Sequence, residues 1–387
     1  MHLERRSHPS RALQWLAPLL AIGVTLLITS GLVAWAGAPV GRAYALLLDG
    51  GFGSRFAWSE TLTRATPLIL TGLAAAVAFK ARLFNIGAEG QLYAGALAAV
   101  AVGSAGSGVP AGLLFGLMLL AAAVAGAALL LGPALLKSRL GVDEVVTTLL
   151  LNFIVLLFVS MLLDGPMKDP TAMGWPQSIA LPEALQLGKL LARTRLHTGL
   201  LWALALALAL WALLRFTTTG FEIRAVGANP RAAAFAGMPV AWVNVKVALL
   251  SGALAGLAGA IEVAGRTGYL TLDMSPGYGY SGIVIAMLAA LNPLGVVAAA
   301  VFVAGVLVGA DSMSRAVNVP TYIADVIVAV ALLSMLVATL AAQYRLVWRS
   351  AVAKIAAGAA GAAGTSDAPD LAPALPPVTS ASAAHAR

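Results

Sequence analysis

The chain has 387 residues, of which 60% are hydrophobic and only 10% are charged, and its formal net charge is +8. Soluble domains carry about a quarter charged residues, so this composition excludes a protein whose whole surface faces water. The Lys and Arg residues are spread through many short segments, which fits membrane topology better than nucleic-acid binding. With no cysteine, and with its four histidines at the termini or at one predicted membrane edge, the sequence shows no metal site.

Repeated apolar runs of about 17–25 residues predict an all-α polytopic membrane protein of about ten transmembrane helices. The predicted spans are residues 13–36, 61–79, 86–104, 110–136, 144–164, 198–214, 242–264, 278–291, 294–310 and 322–342. The weakest part of this assignment is 278–310, because its first apolar run is short and Asn292-Pro293 separates that run from the second. That region is either two short helices or a re-entrant hairpin.

The N-terminal region resembles a signal peptide in part. Arg5, Arg6 and Arg11 precede an apolar run, and "AWAGA" at 34–38 resembles a cleavage site. The run is nevertheless too long for a signal sequence. We therefore expect an uncleaved first span, preceded by a cytoplasmic segment over residues 1–12.

The distribution of Lys and Arg predicts that both termini are cytoplasmic, because positive residues favour the inner side of a membrane. With the N-terminus inside, the residues on the cytoplasmic side are Arg5, Arg6, Arg11, Lys80, Arg82, Lys137, Arg139, Arg215, Arg224, Arg231, Arg345, Arg349 and Lys354. Those on the other side are fewer: Arg42, Arg55, Lys168, Lys189, Arg193, Arg195, Arg266 and Arg315.

This topology has consequences for the two halves of the chain and for its end. The four spans within 61–164 start outside and the four within 242–342 start inside, as an inverted repeat requires. The residues of the two halves do not match convincingly, so the repeat is a topological hypothesis. After a transmembrane domain over 13–345, residues 346–387 form a cytoplasmic tail rich in Ala, Gly, Pro, Ser and Thr, a composition typical of disorder.

The cytoplasmic loop 215–241 carries a complete short-helix pattern. Asn229 is a good N-cap and Pro230 comes next, at the first helical position, where its missing N–H costs nothing. Gly237 suits the left-handed position after the helix, and Pro239 stops continuation. A helix of about two turns is marginal alone in water and needs a surface to pack on. It is either a capped connector between spans or a docking element for a soluble partner.

Polar residues cluster near the start of the third predicted span, where Asn85, Glu89 and Gln91 occur. Asn85 and Glu89 are four residues apart and are expected to share a helix face, with Gln91 pointing elsewhere. Ionisable groups in a membrane core usually face the bundle interior or water. Glu89 therefore either caps exposed N–H groups or pairs with Lys80 or Arg82, or it lines the inner end of a pathway.

Two other clusters have the same character. Glu144, Thr148 and Asn152 are spaced by four residues and predict one polar stripe, which either bonds a neighbouring helix or lines a path, with Asn152 the deepest. Glu262, Tyr280 and Ser281, together with Tyr278, fit the outer half of a path, where aromatic rings can stack on a sugar or a base. The alternative for Tyr278, which we favour, is the aromatic belt at the membrane interface.

Four stretches in order give the sequence a family resemblance. They are "LFNIGAEGQLYAGA" (83–96), "GVDEVVTTLLLNFI" (141–154), "FEIRAVGANPRAAAFAGMPV" (221–240) and "SGALAGLAGAIEVAG" (251–265). Together they resemble the permease subunits of ABC importers for simple sugars and nucleosides, over about residues 80–345. The form "FNIGAEGQ" is most similar to the nucleoside-type permeases, whose binding proteins are membrane lipoproteins.

The resemblance implies an ATP-driven importer in a bacterial inner membrane, with this chain forming the translocation path for a nucleoside. A simple-sugar permease and a stand-alone secondary transporter are the alternatives. It also implies a second, similar permease, two cytoplasmic ATPase subunits and an extracytoplasmic solute-binding lipoprotein. The residues it assigns to the coupling helix that meets the ATPase, and to that helix's surroundings, are Glu222, Arg224, Asn229, Pro230, Arg231, Ala233 and Gly237.

The sequence also bears on where ATP binds. No G-x-x-x-x-G-K-[ST] phosphate-binding loop occurs anywhere in it. If ATP and Mg²⁺ drive this protein, they must bind to another chain. We accordingly expect no catalytic residue and no cofactor here.

Overall fold

The computed structural model describes residues 2–5, 11–106 and 108–317, and then 326–327, 329–331, 333–334, 336–338, 341 and 344–347. The helices up to residue 317 are α1 (Arg11–Trp35), α2 (Val40–Phe52), α3 (Arg55–Lys80), α4 (Ala88–Ala105), α5 (Ala111–Leu140), α6 (Glu144–Asp164), α7 (Gly199–Phe216), α8 (Thr218–Ala228), α9 (Pro230–Phe235), α10 (Val240–Glu262), α11 (Tyr278–Leu288) and α12 (Pro293–Val317). A single 3-10 turn covers Glu183–Leu185, and a π-helical turn over Val263–Thr267 continues α10.

The protein is a polytopic α-helical membrane protein, as the sequence predicts. In the described part of the chain, six helices are long and apolar enough to cross a membrane: α3, α5, α6, α7, α10 with its π turn, and α12. The bent pair α1–α2 makes a seventh if it is counted as one span. The count of about ten stays a prediction, because only about half of its last span, 322–342, is described.

Residues 40–52 form a helix where the sequence predicts an outside loop. The chain reverses between α1 and α2 with a bend of 117°, and Gly37 takes a left-handed φ of 78° in the turn. Tyr44 Oη then donates a hydrogen bond back to the Leu26 carbonyl oxygen of α1 at 2.7 Å. The helix was missed because Arg42 and a Gly-Gly pair interrupt its apolar pattern. It packs along α12.

The core of the bundle is built from α3, α4, α5 and α10. Most of α3 is buried by its neighbours, so it is a central helix. Where α10 crosses α5 and α4, the contact residues are Gly126, Gly252, Gly256 and Gly95, and a Cβ on any of them would collide with backbone atoms of the facing helix. Small residues that allow close backbone approach are typical of helix packing in membranes.

α11 is a short helix that begins inside the bundle. Its 11 residues span about 16 Å, roughly half of a bilayer core. The Tyr278 carbonyl oxygen accepts a hydrogen bond from Thr71 Oγ1, in the middle of α3, at 2.9 Å. The Tyr278 side chain is buried, so the aromatic-belt interpretation is wrong. Ala290 and Leu291, at left-handed φ values of 49° and 58°, separate α11 from α12.

A two-stranded antiparallel ladder joins the ends of the described chain. β1 (His2–Arg5) pairs with β2 (Tyr344–Val347), with His2 opposite Val347. This ladder is an addition to the all-α prediction. It brings residues near the two ends of the chain side by side, and the cytoplasmic location of the termini stays a prediction. The predicted tail over 346–387 lies outside the described residues from 348 onward.

The long connection over 165–198 is held against the end of α10 by backbone hydrogen bonds. Leu187 N donates to the Ala264 carbonyl oxygen at 2.8 Å, and Leu181 N donates to the Gly268 carbonyl oxygen at 2.7 Å. His197 is buried at this junction, and its Nδ1 accepts from Gly199 N at 3.2 Å. Burial, and then the positive charge of Arg266, lower the pKa of His197 from 6.5 to about 4.

This lowered pKa predicts acid sensitivity of the fold. Because the folded protein favours neutral His197, the stabilisation is complete above pH 6.5 and is lost as the pH falls towards 4. The loss amounts to about 3 kcal/mol. We expect the thermal midpoint of the detergent-solubilised protein to fall over this window, and His197→Phe to flatten the profile. Equal slopes for the two proteins would contradict the assignment.

Candidate functional site

α9 is the short capped helix that the sequence predicts. The Asn229 side chain accepts hydrogen bonds from the backbone N–H groups of Arg231 and Ala232 at 3.1 and 3.2 Å, and Pro230 occupies the first helical position. At the other end, Gly237 has a φ of 81°. The next residue's N–H, at Met238, returns to the Ala233 carbonyl at 3.0 Å, as in a Schellman motif. Both ends of this two-turn helix are therefore fixed by local bonds.

One side of α9 rests on the bundle and the rest faces outward. Ala233 is buried in the main core, whereas Arg231 and Gly237 are exposed. Phe235 is 94% exposed among the described residues, an unusual position for an aromatic ring. Phe235 was not predicted from the sequence, although a single aromatic residue at the end of an Ala-rich helix was visible there. α9 thus presents a small surface with one large apolar side chain.

A second helix, α8, precedes α9 in the predicted loop and was not foreseen. Of the predicted coupling residues on it, Glu222 forms an ion pair with Lys246 of α10 at 3.0 Å, and Arg224 is exposed. The Arg82 guanidinium donates to the Ala228 carbonyl oxygen, the last residue of α8, at 3.1 Å. The α8–α9 pair is consequently attached to the end of α3.

The segment over 81–87, between α3 and α4, receives this attachment. Arg82 has a left-handed φ of 59°, a conformation that costs a non-glycine residue about 1–2 kcal/mol. Two bonds hold it there: its side chain contacts α8, and its carbonyl oxygen accepts from Lys137 Nζ at 2.8 Å. Such strain persists only where the surroundings determine it. The segment is therefore a fixed, non-helical piece of backbone.

The polar stripe of α6 lies against the same segment. Glu144 Oε1 pairs with Lys137 and accepts from Phe84 N at 3.1 Å. Thr148 Oγ1 accepts from Ile86 N at 3.2 Å. These backbone groups belong to no helix and would cost free energy if they were buried without partners. Glu144 and Thr148 therefore bond the non-helical 81–87 segment, and a role of the stripe in lining a path stays a prediction.

Asn152 continues the stripe more deeply and is completely buried. Its Oδ1 accepts from Gly90 N at 2.8 Å. Its Nδ2 donates to the Ile86 carbonyl oxygen at 2.9 Å and to Tyr280 Oη of α11 at 3.1 Å. One side chain therefore links α6, the 81–87 segment, α4 and α11. Tyr280 is 38% exposed, whereas its partner Asn152 is buried. Of these two predicted path residues, only Tyr280 has an accessible side chain.

We expect Asn152→Leu to destabilise the protein. The substitution keeps the approximate volume but leaves buried groups at Gly90 and Ile86 without partners, at a cost of about 2–3 kcal/mol. The measurement is the thermal midpoint of the detergent-solubilised protein. Thr147→Val is the matched control, because the Thr147 hydroxyl bonds only within its own helix among the described residues. An unchanged midpoint for Asn152→Leu would refute the structural role.

The predicted geometry of Asn85 is wrong. Asn85 precedes α4 and so does not share a helix face with Glu89. Its side chain instead forms two hydrogen bonds with Gln91, both at 2.9 Å, and donates to Ser251 Oγ of α10 at 3.1 Å. The three side chains are buried. They bind the 81–87 segment to α4 and α10. The bond to Ser251 joins residues far apart in the chain, so local spacing could not predict it.

Glu89 caps a helix other than its own. Its Oε2 accepts a hydrogen bond from Gly279 N at 2.6 Å. Gly279 lies in the first turn of α11, where N–H groups have no partner within the helix. Lys80, one of the two predicted ion-pair partners, instead donates to the Leu291 carbonyl oxygen at 3.1 Å. The carboxylate is thus the N-terminal cap of a helix that begins within the bundle.

Glu262 lies at the other end of the bundle, away from α9. It is completely buried and pairs with Arg266 in the π turn four residues later. Arg266 also donates to the Met274 carbonyl oxygen at 2.7 Å, in the chain leading to α11. Ser281 is half-buried on α11. Glu262 does not meet Tyr280, and the third predicted cluster is therefore divided between two places.

These contacts form one connected arrangement. α8, which leads into α9, bonds Arg82 just after α3, the 81–87 segment bonds α6 and α10, and Asn152 and Glu89 bond α11. Displacement of α9 can therefore reach the start of α11 through packed and bonded groups. No group of three or more His, Cys, Asp or Glu side chains suited to a metal ion occurs among the described residues.

Comparison with known proteins bears on this arrangement. A family model described as "Branched-chain amino acid transport system / permease component" matches residues 58–337. The chain is 38% identical over 320 residues to the guanosine ABC transporter permease protein NupP of Bacillus subtilis, covering 82% of this chain and 92% of that one. It is also 38% identical over 360 residues to the glucose ABC transporter permease protein TsgB13 of Haloferax volcanii, covering 89% and 94%. A second Bacillus subtilis protein, the guanosine ABC transporter permease protein NupQ, is 30% identical over 253 residues, covering 62% and 77%.

Proposed function

The chain belongs to the family of branched-chain amino acid transport system permease components, and from that premise we propose that it forms the translocation path of an ATP-driven importer for a nucleoside. It is a transport subunit. Its mechanism is alternating access, in which closure of partner ATPases shifts the bundle through α9 and opens the path to one side or the other.

The observation that carries the proposal is the surface of α9. This helix is capped at both ends, exposes Phe235 and is bonded through α8 to the end of α3. A rigid projecting helix with one exposed aromatic anchor is suited to a groove in a soluble partner. Because the sequence carries no phosphate-binding loop, ATP and Mg²⁺ would bind to that partner.

A nucleoside is the favoured solute. NupP is named for guanosine, and so is NupQ. The name of TsgB13 gives the alternative, glucose or another simple sugar. Both classes are neutral and rich in hydrogen-bonding groups. A stand-alone secondary transporter is disfavoured, because Glu89, Glu144 and Glu262 are each engaged in bonds within the fold.

The proposed assembly has four other chains. They are a second, similar permease, two cytoplasmic ATPase subunits and an extracytoplasmic solute-binding lipoprotein, in a bacterial inner membrane. The similarity of this chain to both NupP and NupQ, two permeases of one organism, supports a heterodimer of related permeases.

The test combines affinity purification with uptake. Tagged protein purified in mild detergent is expected to carry a P-loop ATPase and a second permease, and proteoliposomes of the complete importer are expected to take up guanosine with ATP. Uptake of glucose but not guanosine would move the assignment to the sugar class. Recovery of the chain alone from several detergents, with uptake that needs no ATP, would overturn the proposal.

A further inference from the structure

A cavity of about 780 Å³ lies at the end of the bundle remote from α9, between α2, α3, α12 and the 165–198 connection. Its volume falls within the roughly 300–1,000 Å³ that small-molecule sites occupy. One face of α3 lines the cavity and includes Glu60 and Arg64. The wall formed by α12 includes Val308, Asp311 and Ser312. Arg64 and Asp311 join the two walls by an ion pair at 2.7 Å.

The cavity wall contains a hydrogen-bond acceptor with no partner. Glu60 Oε1 is buried and has none among the described residues, and the same holds for Glu262 Oε2. Buried polar atoms are nearly always bonded, and an exception calls for a physical reason. A carboxylate oxygen accepts hydrogen bonds, so Glu60 Oε1 has room for an N–H or O–H donor that the described residues do not supply.

Hydrogen-bond donors line another part of the same cavity wall. Lys189, Arg193, Arg195 and Arg315 line the cavity and are exposed, and none forms an ion pair with a described residue. Lys and Arg side chains only donate hydrogen bonds. The cavity therefore offers unused donors at its exposed side and an unused acceptor where it reaches α3.

We propose that this cavity is a binding subsite on the solute path, in which Glu60 accepts an N–H or O–H of a neutral, donor-bearing solute while the exposed cations bond the solute's oxygen and nitrogen acceptors. The proposal rests on the function proposed above and adds a place and a chemical class to it. A nucleoside carries both kinds of group, on its ribose and on its base. A purely anionic solute would satisfy the cations but not Glu60.

The natural absence of cysteine makes the proposal directly testable. Ser312→Cys and Val308→Cys each introduce a single thiol into the cavity wall. Ser104→Cys, exposed near the end of α4 and outside the cavity lining, is the control. The complete importer in right-side-out vesicles is treated with a membrane-impermeant thiol reagent, with and without guanosine, and the labelling rates are compared.

Guanosine is expected to slow labelling of both cavity thiols by about fivefold at about four times its Kd, and to leave the Ser104→Cys rate unchanged. Adding Glu60→Met, which removes the acceptor, should abolish the protection. Glu60→Gln, which keeps one acceptor oxygen, should retain part of it. The matched control, Glu183→Met in the exposed 165–198 connection, should retain all of it.

Two results would overturn the inference in different ways. Normal guanosine uptake with labelling rates that guanosine does not alter would place the solute elsewhere and leave the proposed function intact. Absence of guanosine uptake by the unsubstituted importer would remove the proposed function, and the subsite with it. Because Ser312→Cys and Val308→Cys lie at separate positions on α12, failure of one variant to assemble leaves the other to decide.

Discussion

Phe235→Ala is expected to reduce solute uptake by the complete importer severely while leaving the permease folded. Phe235 projects from α9 and is 94% exposed, so its removal should not disturb the bundle. An aromatic anchor at the centre of an interface contributes about 2 kcal/mol or more, roughly thirtyfold in affinity for the partner. The measurements are ATPase co-purification with the tagged permease and ATP-driven uptake in proteoliposomes.

The control for this experiment is Phe216→Ala. Phe216 is also exposed, but its ring packs edge-on against Trp211 of the same helix. The Phe216→Ala permease should bind the ATPase as the unsubstituted permease does. Full ATPase recovery and full uptake with Phe235→Ala would show that α9 is a connector rather than a docking element.

Glu89→Leu is expected to lower the stability of the permease by about 3 kcal/mol. The change leaves the buried Gly279 N–H without an acceptor and removes a negative charge from the positive end of α11. We expect a fall of about 4 °C in the thermal midpoint of a chain of this length. Glu89→Gln keeps an acceptor oxygen and should cost less, because it loses only the charge.

Glu183→Leu provides the matched control, since this carboxylate is exposed in the 165–198 connection. Its midpoint should equal that of the unsubstituted protein. If Glu89→Leu and Glu183→Leu melted at the same temperature, the carboxylate at Glu89 would not be capping α11.

Local signals were sufficient to predict α9 but not its surroundings. Asn229, Pro230 and Gly237 act on neighbouring residues, so their pattern alone defines the two ends of that helix. The stripe from Glu144 to Asn152 was likewise visible, because helical spacing is a local property. Its partners were not, since most of them are backbone groups of the non-helical 81–87 segment.

Glu89 illustrates the limit most clearly. Capping was one of the interpretations that the sequence allowed, and a cap is what the structure contains. The N–H that it caps, however, belongs to Gly279, 190 residues later in the chain, beyond the reach of periodicity or spacing. Residues 40–52 and Asn85 were mispredicted for related reasons: in both, tertiary packing outweighs the local pattern.

The shortness of α11 has a consequence for how the chain enters the membrane during synthesis. A stretch of 11 residues is below the length that a bilayer accepts as an independent span. It also begins with unpaired N–H groups that hydrocarbon cannot satisfy. α11 must therefore integrate together with α12, and only after α4 has already brought Glu89 into place. The order of synthesis, with the carboxylate made long before the helix that needs it, meets this requirement.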